Sequence, residues 1–415
     1  MTPRTARPLR IAVAGAGMAA ARLAQQTLAQ APPGTVRITL YGREARAPYN
    51  RTLLTGVLTG RYAPAGLALP TGTATVHRAT DVVAFDPAVR TLRTSTGETA
   101  PYDVLVLATG AEPVLPAGLH PHGTPGTGHD APLRGVHTLR TLDDCARLGE
   151  DARHAGRAVV VGGGVLGVGT ALALAARGLP VHLLHRAPHL MEHHLDAGAA
   201  ATVRRGLEEA GVRVRTGHAV TALHGGRRVT GAELADGSRH DADLAVLACG
   251  VRPRTALARA AGLPVRTGIV VDDRLATSAP GVYAIGDCAE HRGTVHGRAE
   301  AAWEQADVLA ARLSGARPQA RYRGSFARLR LRAGALDVAA LGDCTGGGGP
   351  DTDSVRLADA TRGTYKKLVL RGSELVGALL VGDLTPLGDL TDACERGEPV
   401  PPDPLHLLMT EGASP

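Results

Sequence analysis

The chain has 415 residues, a formal net charge of +7 and only 2% aromatic residues. Its length corresponds to roughly two or three domains, and its 53 glycines follow no triplet repeat, which argues against a collagen-like fold. The basic residues are dispersed and the aromatic side chains that stack on bases are scarce, so the charge does not predict a nucleic-acid-binding surface.

The first pattern along the chain is that of a dinucleotide-binding fold. An apolar run at 11–14 leads into the fingerprint Gly-x-Gly-x-x-Ala, whose small residues are Gly15, Gly17 and Ala20. In this fingerprint the first glycine makes the turn from strand to helix and the second lets the backbone approach a pyrophosphate. The third small residue lets the helix pack closely on the strand. We therefore predict a helix to about residue 30, with a phosphate at its N-terminus.

A second predicted strand, 36–41, ends shortly before Glu44. An acid after this strand binds the ribose hydroxyls in many dinucleotide folds, and we assign that role to Glu44. A solvated charge at the strand end is the alternative. An apolar strand at 104–107 then leads into a turn of three small residues, Ala108, Thr109 and Gly110.

The same pattern returns further along the chain. An apolar run at 158–161 leads into a second fingerprint, whose glycines are Gly162, Gly164 and Gly167. A helix at 168–177 and a strand at 181–184 are predicted next, and the strand 244–247 ends in a small-residue turn that includes Gly250. One fingerprint is a weak signal, whereas two with matched internal spacing indicate two dinucleotide sites. The intervening stretch 113–132, rich in proline, glycine and histidine, is predicted to be linker and loop.

The residues that follow the strand 181–184 are basic. His185 and Arg186 stand where the first copy has its acid, and positive groups there suit the 2′-phosphate of NADPH. We therefore favour NADPH over NADH, with a solvent-facing basic pair as the alternative. Two different dinucleotide sites in one chain suggest FAD in one and NAD(P)H in the other.

Two later features complete this picture. Gly286 and Asp287 follow an apolar strand, and a carboxylate there can bind the ribityl hydroxyls of FAD, although an aspartate after glycine is also a common helix cap. An apolar strand is expected at 269–275 and a helix at 299–313. The remainder is predicted to be a strand-rich α+β domain, with strands at 327–332, 336–341, 365–370 and 375–381 and a glycine loop at 346–349.

The five cysteines are dispersed, with no CxxC or zinc-ligand spacing and no CxxxxC pair after the first fingerprint. This pattern excludes a dithiol relay and predicts no metal site and no iron–sulfur cluster in this chain. It also indicates a reducing compartment. Because no apolar run of about 18 residues is present, we expect a cytoplasmic protein without a membrane partner.

Together these motifs resemble the FAD- and pyridine-nucleotide-dependent oxidoreductases of the glutathione-reductase structural type. Within them the chain most resembles the flavin part of the NAD(P)H-dependent nitrite reductase large subunit and its stand-alone relatives in nitrate and nitrite assimilation. Besides the two fingerprints, the residues that carry this resemblance lie in the segments 41–51, 108–113, 139–144, 190–196, 250–253, 285–288, 303–306 and 363–368.

The resemblance implies an α/β protein with two Rossmann-like domains, the NAD(P)H domain inserted in the FAD domain, and a small C-terminal α+β domain. The expected boundaries are 1–120 with 245–318 for FAD, 121–244 for NAD(P)H and 319–415 for the C-terminal domain. It also implies that Arg51 contacts FAD and that the segment 303–305 lies near the isoalloxazine. Trp303 and Glu304 are the flavin-adjacent candidates, although no catalytic residue is assigned.

Two positions depart from the family pattern. Gly56 stands where ferredoxin and rubredoxin reductases commonly have a lysine, which favours the nitrite-reductase branch. Gly169 stands where many relatives have a glutamate near the nicotinamide. This difference is expected to change the strength or orientation of NAD(P)H binding.

The predicted function is electron transfer from NAD(P)H through FAD to a separate iron–sulfur or sirohaem protein in nitrite or nitrate assimilation. Two alternatives stay open: a ferredoxin or rubredoxin reductase that serves an oxygenase, and a flavin-binding regulatory protein whose nicotinamide site has decayed. The C-terminal domain is either a homodimer interface or the surface that binds the acceptor, and relatives of this structural type favour the interface.

Overall fold

A computed structural model describes residues 7–116, 119, 133–345, 351–397 and 399–409. The predicted glycine loop 346–349 and most of the predicted linker 113–132 lie outside these residues. The chain divides into two compact units. The first consists of Met1–Leu53, Ala63–Glu112 and Val251–Ser325, and the second of Leu54–Tyr62, Pro113–Gly250 and Phe326–Pro415. The three-domain boundaries expected from the sequence stay a prediction.

The strands of the described residues are, in chain order, β1 (Leu9–Ala14), β2 (Val36–Tyr41), β3 (Thr75–His77), β4 (Val82–Asp86), β5 (Thr91–Thr94), β6 (Thr99–Pro101), β7 (Val104–Leu107), β8 (Ala111–Pro113), β9 (Val136–His137), β10 (Ala158–Val161), β11 (Val181–Leu184), β12 (Val212–Arg215), β13 (Val220–Gly225), β14 (Val229–Leu234), β15 (Arg239–Asp241), β16 (Leu244–Leu247), β17 (Val251–Pro253), β18 (Ile269–Val271), β19 (Val282–Ala284), β20 (Ala289–His291), β21 (Arg328–Ala333), β22 (Leu336–Gly342), β23 (Asp353–Asp359), β24 (Thr364–Arg371) and β25 (Glu374–Val381).

The α-helices of the same residues are α1 (Met18–Gln30), α2 (Leu54–Leu58), α3 (Leu142–Asp151), α4 (Val165–Ala175), α5 (Ala197–Glu209), α6 (Ala256–Ala260), α7 (Ala299–Leu313) and α8 (Leu387–Arg396). Short 3₁₀ helices lie at Arg51–Leu53, Pro64–Leu67, Gly286–Cys288 and Pro404–Leu407. None of the helices in the described part of the chain is both long and apolar enough to cross a membrane.

A five-stranded parallel sheet in the order β19-β7-β1-β2-β3 forms the centre of the first unit. Ile11 of β1 lies opposite Ile38 of β2 on one side and Val104 of β7 on the other. All four residues of β7 are buried, as expected for a parallel sheet whose two faces are covered. The chain turns to opposite sides of β1 to form β2 and β7, and ligands of such sheets bind in the crevice at the carboxyl ends of the strands where this reversal occurs.

The second unit repeats this arrangement with the parallel order β12-β11-β10-β16-β9. Here β10 is the strand of reversal, and Ala158 lies opposite both Val181 of β11 and Leu244 of β16. Each unit also carries a small antiparallel sheet, β4-β5-β6 in the first and β13-β14-β15 in the second. The predicted fold of two Rossmann-like domains is therefore confirmed.

The C-terminal segment forms a five-stranded antiparallel sheet in the order β21-β22-β25-β24-β23. Its core includes Leu368 of β24, Leu380 of β25 and Leu390 of α8, all fully buried. The predicted α+β domain is confirmed, with one strand more than predicted, β23. Two other predicted elements differ in length, because the strand at 269–275 extends only over β18 and the second fingerprint helix, α4, begins at Val165 rather than at 168.

Candidate functional site

The first fingerprint forms a turn that only glycine can make. Gly15 has φ +120°, and a Cβ atom at this position would lie 2.1 Å from the carbonyl oxygen of Ala108, at the end of the neighbouring strand β7. Gly17 is the N-cap of α1, where no side chain caps the helix and the first turn contains no acid. A Cβ at Gly17 would have no atom within 4 Å. The amino end of α1 therefore faces open space, as a pyrophosphate-binding helix requires.

The second fingerprint has the same geometry. Gly162 has φ +112°, and a Cβ there would lie 2.3 Å from the carbonyl oxygen of Ala248. Gly164 is the uncapped N-cap of α4, and a Cβ at this position would also have no atom within 4 Å. At Gly167 a Cβ would lie 1.8 Å from the carbonyl oxygen of Gly162, so this glycine is needed for the close packing of helix on turn. Ala20, fully buried, occupies the third position of the first copy.

Glu44 and Arg51, which sequence reasoning assigned separately, belong to one cluster. The Glu44 carboxylate accepts a hydrogen bond of 2.6 Å from the Tyr49 hydroxyl and pairs with the Arg51 guanidinium. The same guanidinium lies 4.8 Å from the centre of the Tyr49 ring. Tyr49 lies in the segment 41–51 that carries the family resemblance, and no role was predicted for it. The cluster follows β2 and presents a carboxylate and a guanidinium, the groups that recognise ribose hydroxyls and phosphate.

The turn after β7 is held by a hydrogen bond from a side chain to the backbone. The Thr109 hydroxyl donates a hydrogen bond of 2.6 Å to the carbonyl oxygen of Arg254, and Gly110 has φ +69°. Its counterpart in the second unit, Gly250, has φ +99°. Both glycines occupy the left-handed region, where other residues are strained.

Gly286 places Asp287 near the amino end of α1. A Cβ at Gly286 would lie 3.2 Å from the Ala19 Cβ, and the Gly286 N–H donates a hydrogen bond of 2.7 Å to the Gln305 side chain of α7. Gln305 is buried and belongs to the segment 303–305 that the family resemblance places near the flavin, but its contact with the Gly286 turn was not predicted. The turn that bears Asp287 therefore lies at the same edge of the sheet as the first fingerprint.

Trp303 and Glu304 differ in exposure. Trp303 is half-buried on α7, whereas Glu304 is exposed and accepts a hydrogen bond from the Ser325 hydroxyl. Their expected position beside a flavin stays a prediction.

In the second unit the two basic residues after β11 have different surroundings. Arg186 is exposed, whereas His185 is only 6% exposed and both its ring nitrogens are occupied. The ring accepts a hydrogen bond from the Gly163 N–H and pairs with Glu192. Arg186 is thus the accessible cation of the pair. The charge pattern does not predict this difference in exposure, because the partner of His185, Glu192, lies seven residues further along the chain.

None of the five cysteine thiols has the lowered pKa of a reactive thiol. All five cysteines are free, and burial raises the pKa of each above its ordinary value, to about 11 for Cys344 and Cys394. A reactive thiol needs a lowered pKa, so the geometry offers none. Within the described ranges, no three His, Cys, Asp or Glu side chains lie close enough together to hold a metal ion.

The two positions that were expected to depart from the family pattern differ in how closely they are packed. A Cβ at Gly56 would lie 2.4 Å from the Tyr62 ring, so Tyr62 fills the space that a longer side chain at 56 would need. Gly169 is buried in α4, where a Cβ would make ordinary contacts with the Thr55 methyl group at 3.4 Å and with Leu331 at 3.7 Å.

Comparison with known proteins agrees with this geometry. Residues 9–306 match the family described as pyridine nucleotide-disulphide oxidoreductase, and residues 330–398 match the rubredoxin NAD+ reductase C-terminal domain. The chain is 34% identical to the nitrite reductase [NAD(P)H] of Bacillus subtilis (strain 168) over 90% of its length and 45% of that protein. It is 31% identical to the assimilatory nitrate reductase electron transfer subunit of the same organism, over 98% of its length and 52% of that protein.

The chain thus spans about half the length of each of these two relatives. Among solved structures, the ferredoxin reductase for the CYP199A2 system from Rhodopseudomonas palustris has a TM-score of 0.78 and 29% identity, and the match covers 90% of this chain and 91% of that one. The family match covers both fingerprints and both crevices described above. The chain therefore belongs to the pyridine nucleotide-disulphide oxidoreductases, a family of FAD- and NAD(P)H-dependent enzymes.

Proposed function

We propose that the chain is the electron-transfer component of a nitrite or nitrate reductase system, in which it takes electrons from NAD(P)H and delivers them to a separate iron–sulfur or sirohaem protein. The observation that carries this proposal is the pair of equivalent crevices, one in each unit, each with a glycine turn and an uncapped helix N-terminus. The names of the two Bacillus subtilis relatives support the choice of reductase system.

The first unit is proposed to bind FAD. The amino end of α1 would hold the pyrophosphate, and the cluster of Glu44 with Arg51 would bind the ribose hydroxyls. Asp287 would bind the ribityl chain. When bound, FAD supplies an acceptor for the hydride of NAD(P)H and a donor of single electrons to a partner protein. The residues then serve to bind and orient, and no side chain needs to move a proton during hydride transfer. Trp303 and Glu304 are proposed to border the flavin.

The second unit is proposed to bind NAD(P)H with its pyrophosphate at the amino end of α4, and Gly250 at the facing turn. We propose a preference for NADPH because the exposed Arg186 follows β11, where a guanidinium can pair with a 2′-phosphate. The residue to test is therefore Arg186.

The preference is tested by comparing KM for NADPH and NADH in the wild type, in Arg186→Ala and in Arg227→Ala. Arg227 is a matched control because it is an exposed arginine of the same unit, in the turn between β13 and β14. We expect KM for NADPH to rise about tenfold or more in Arg186→Ala, since a charge-assisted contact is lost, with KM for NADH nearly unchanged. A wild type that prefers NADH, or an NADPH preference that survives in Arg186→Ala, contradicts the assignment.

A ferredoxin or rubredoxin reductase is the second candidate. It is supported by the match of residues 330–398 to a rubredoxin reductase domain and by the similarity to a ferredoxin reductase structure. The two candidates differ in their acceptor. The decisive experiment gives the FAD-loaded, NADPH-reduced protein either a sirohaem nitrite reductase partner or a ferredoxin or rubredoxin from the same source. Rapid reduction of the sirohaem partner supports the first candidate, and reduction of the small iron–sulfur protein alone supports the second.

A further inference from the structure

His185 is in contact with Gly163, the residue between the first two glycines of the second fingerprint. The Gly163 N–H donates a hydrogen bond of 3.0 Å to Nδ1 of His185, and Nε2 lies 2.9 Å from a carboxylate oxygen of Glu192. A backbone N–H can only donate, so Nδ1 must be the unprotonated nitrogen and Nε2 must carry the proton that goes to Glu192. These partners define one tautomer and one orientation of the ring.

Gly163 is held from its other side as well. Its carbonyl oxygen accepts a hydrogen bond of 2.9 Å from the Met191 N–H. A Cβ at Gly163 would lie 2.6 Å from Leu190 and 2.7 Å from the His185 ring, so the two side chains pack directly on this peptide. Because its N–H is bonded to His185 and its carbonyl oxygen to the Met191 N–H, the orientation of the Gly163 peptide is fixed. The amino end of α4 is thereby left facing the space where a pyrophosphate would bind.

The segment that supplies Glu192 and Met191 is itself firmly anchored. Met191 is buried with φ +52°, a backbone conformation that costs energy in a residue other than glycine and persists only where the surroundings impose it. At the end of the segment, the Asp196 carboxylate caps α5 through the Ala199 N–H at 3.0 Å. It also accepts a hydrogen bond of 2.8 Å from the Tyr365 hydroxyl and pairs with Lys367 at 3.2 Å.

Burial alone would raise the pKa of Asp196, but the hydrogen bonds from the Ala199 N–H, Tyr365 and Lys367 outweigh it and hold the pKa below its ordinary value. The carboxylate is therefore ionised at neutral pH and holds the end of the segment against the C-terminal sheet. The contacts thus form a continuous path from that sheet, through residues 190–196 and His185, to the second fingerprint.

We propose that His185 is a positioning residue, which together with Glu192 holds the Gly163 peptide, and through it the second fingerprint, in the conformation that accepts the nucleotide pyrophosphate. This inference rests on the proposed function in that the second unit binds NAD(P)H. It assigns to His185 a role in shaping the site in place of direct contact with a 2′-phosphate.

The test exploits the geometry of the two ring nitrogens. In His185→Asn the amide oxygen takes the position of Nδ1 and can still accept from Gly163, whereas in His185→Gln it takes the position of Nε2 and cannot. We measure flavin reduction by NADPH and by NADH in the FAD-loaded full-length chain, and separate the apparent dissociation constant of the nucleotide from the limiting rate. Loss of the hydrogen bond to Gly163 should weaken nucleotide binding about tenfold in His185→Gln, with the limiting rate nearly unchanged. His185→Asn keeps that hydrogen bond and loses only the contact with Glu192, so its nucleotide binding should be weakened clearly less than that of His185→Gln.

A second readout needs no nucleotide. Hydrogen exchange of the Gly163 amide, followed by mass spectrometry, should be slow in the wild type and in His185→Asn and faster in His185→Gln. Equal nucleotide affinity and equal exchange in the Asn and Gln variants would overturn the inference. If the exchange follows the expected order while neither nucleotide reduces the wild type, the positioning role stands and the proposed function falls.

Discussion

Two glycines of α4, only two positions apart, should respond in opposite directions to the same substitution. At Gly167 a new Cβ would lie 1.8 Å from a carbonyl oxygen, and the backbone must shift to relieve it. We expect Gly167→Ala to lower the free energy of unfolding by about 2 kcal/mol or more. At Gly169 the new methyl group makes only ordinary contacts. Because alanine is more favourable than glycine in a helix interior by about 1 kcal/mol, Gly169→Ala should raise the free energy of unfolding.

Urea denaturation of the two variants and the wild type measures both changes under identical conditions. Shifts of the same sign would contradict the packing described for α4. A lowered stability in Gly169→Ala would show that the space beside Thr55 is smaller than it is in this structure.

Asp103 should contribute a pH-dependent part of the stability. Hydrogen bonds from Arg10, which approaches the carboxylate with two side-chain nitrogens at 3.1 and 3.0 Å, lower the pKa of Asp103 from 3.8 to about 2. A lowered pKa in the folded state means that the stabilisation is complete above the unfolded value of 3.8 and is lost as the pH falls towards 2.

The measurement is the free energy of unfolding against pH for the wild type and Asp103→Asn. The two curves should be separated at neutral pH and converge as the pH falls from about 4 to about 2, because the wild-type carboxyl then becomes neutral as well. A separation that does not depend on pH would show that the charge of Asp103 is not what stabilises the fold.

At the residue scale, sequence reasoning identified the glycines but not the contacts of His185. The spacing of the fingerprints identifies Gly15 and Gly162 because their geometry depends on local backbone and one neighbouring strand. The position of His185 depends on Glu192, which is brought to it by a turn at Met191 with an unusual backbone conformation. No local pattern predicts such a turn, so His185 was assigned together with Arg186 to a 2′-phosphate, with a solvent-facing basic pair as the alternative.

At the element scale, the predictions were accurate for several strands of the two parallel sheets. The strands β7 and β16 have the predicted boundaries because they are buried on both faces. The strand β23 was missed because its residues are exposed or half-buried and several are charged or polar, as is common in an edge strand. The helix α4 begins three residues earlier than predicted because its first turn directly follows the Gly164 N-cap.

The junction of α5 with β24 should depend on one buried ion pair. Lys367 of β24 is 1% exposed, and its ammonium group lies 3.2 Å from the Asp196 carboxylate at the start of α5. Removing one partner of such a pair leaves the other without its counter-charge, and we expect Lys367→Met to lower the free energy of unfolding by about 3 kcal/mol.

The double variant Asp196→Asn with Lys367→Met is the control for this prediction. Both charges are then removed, and asparagine can still cap α5. If the charge pair matters, the double variant should be more stable than Lys367→Met alone. Strictly additive losses from the two substitutions would contradict the coupling.

At the scale of the whole molecule, composition acquires a structural meaning. The chain contains only two lysines, Lys366 and Lys367, and both are buried in the C-terminal sheet. The surface cations are thus almost all arginines, and many of them are paired with acids, as Arg10 is with Asp103 and Arg22 with Asp307. The cytoplasmic location and the homodimer stay predictions.

The repetition of one crevice in two units is the central feature of the molecule, and each crevice needs an unobstructed helix N-terminus. Gly164→Ala places a methyl group in the open space of the second crevice without touching any described atom, whereas Gly226→Ala places one in open space in a surface turn of the same unit. Both variants should fold and retain FAD. A difference in nucleotide binding between the two variants would therefore come from the nucleotide site and not from the folding of the unit.

The most direct test is anaerobic titration of the FAD-loaded wild type, Gly164→Ala and Gly226→Ala with NADPH and with NADH, followed by the visible absorption of the flavin. We predict that the wild type and Gly226→Ala lose this absorption at low nucleotide concentration. Gly164→Ala should require at least about tenfold more nucleotide, because its new methyl group stands where the pyrophosphate binds. A wild type that is reduced by neither nucleotide, or a Gly164→Ala variant that titrates like the wild type, would contradict the account.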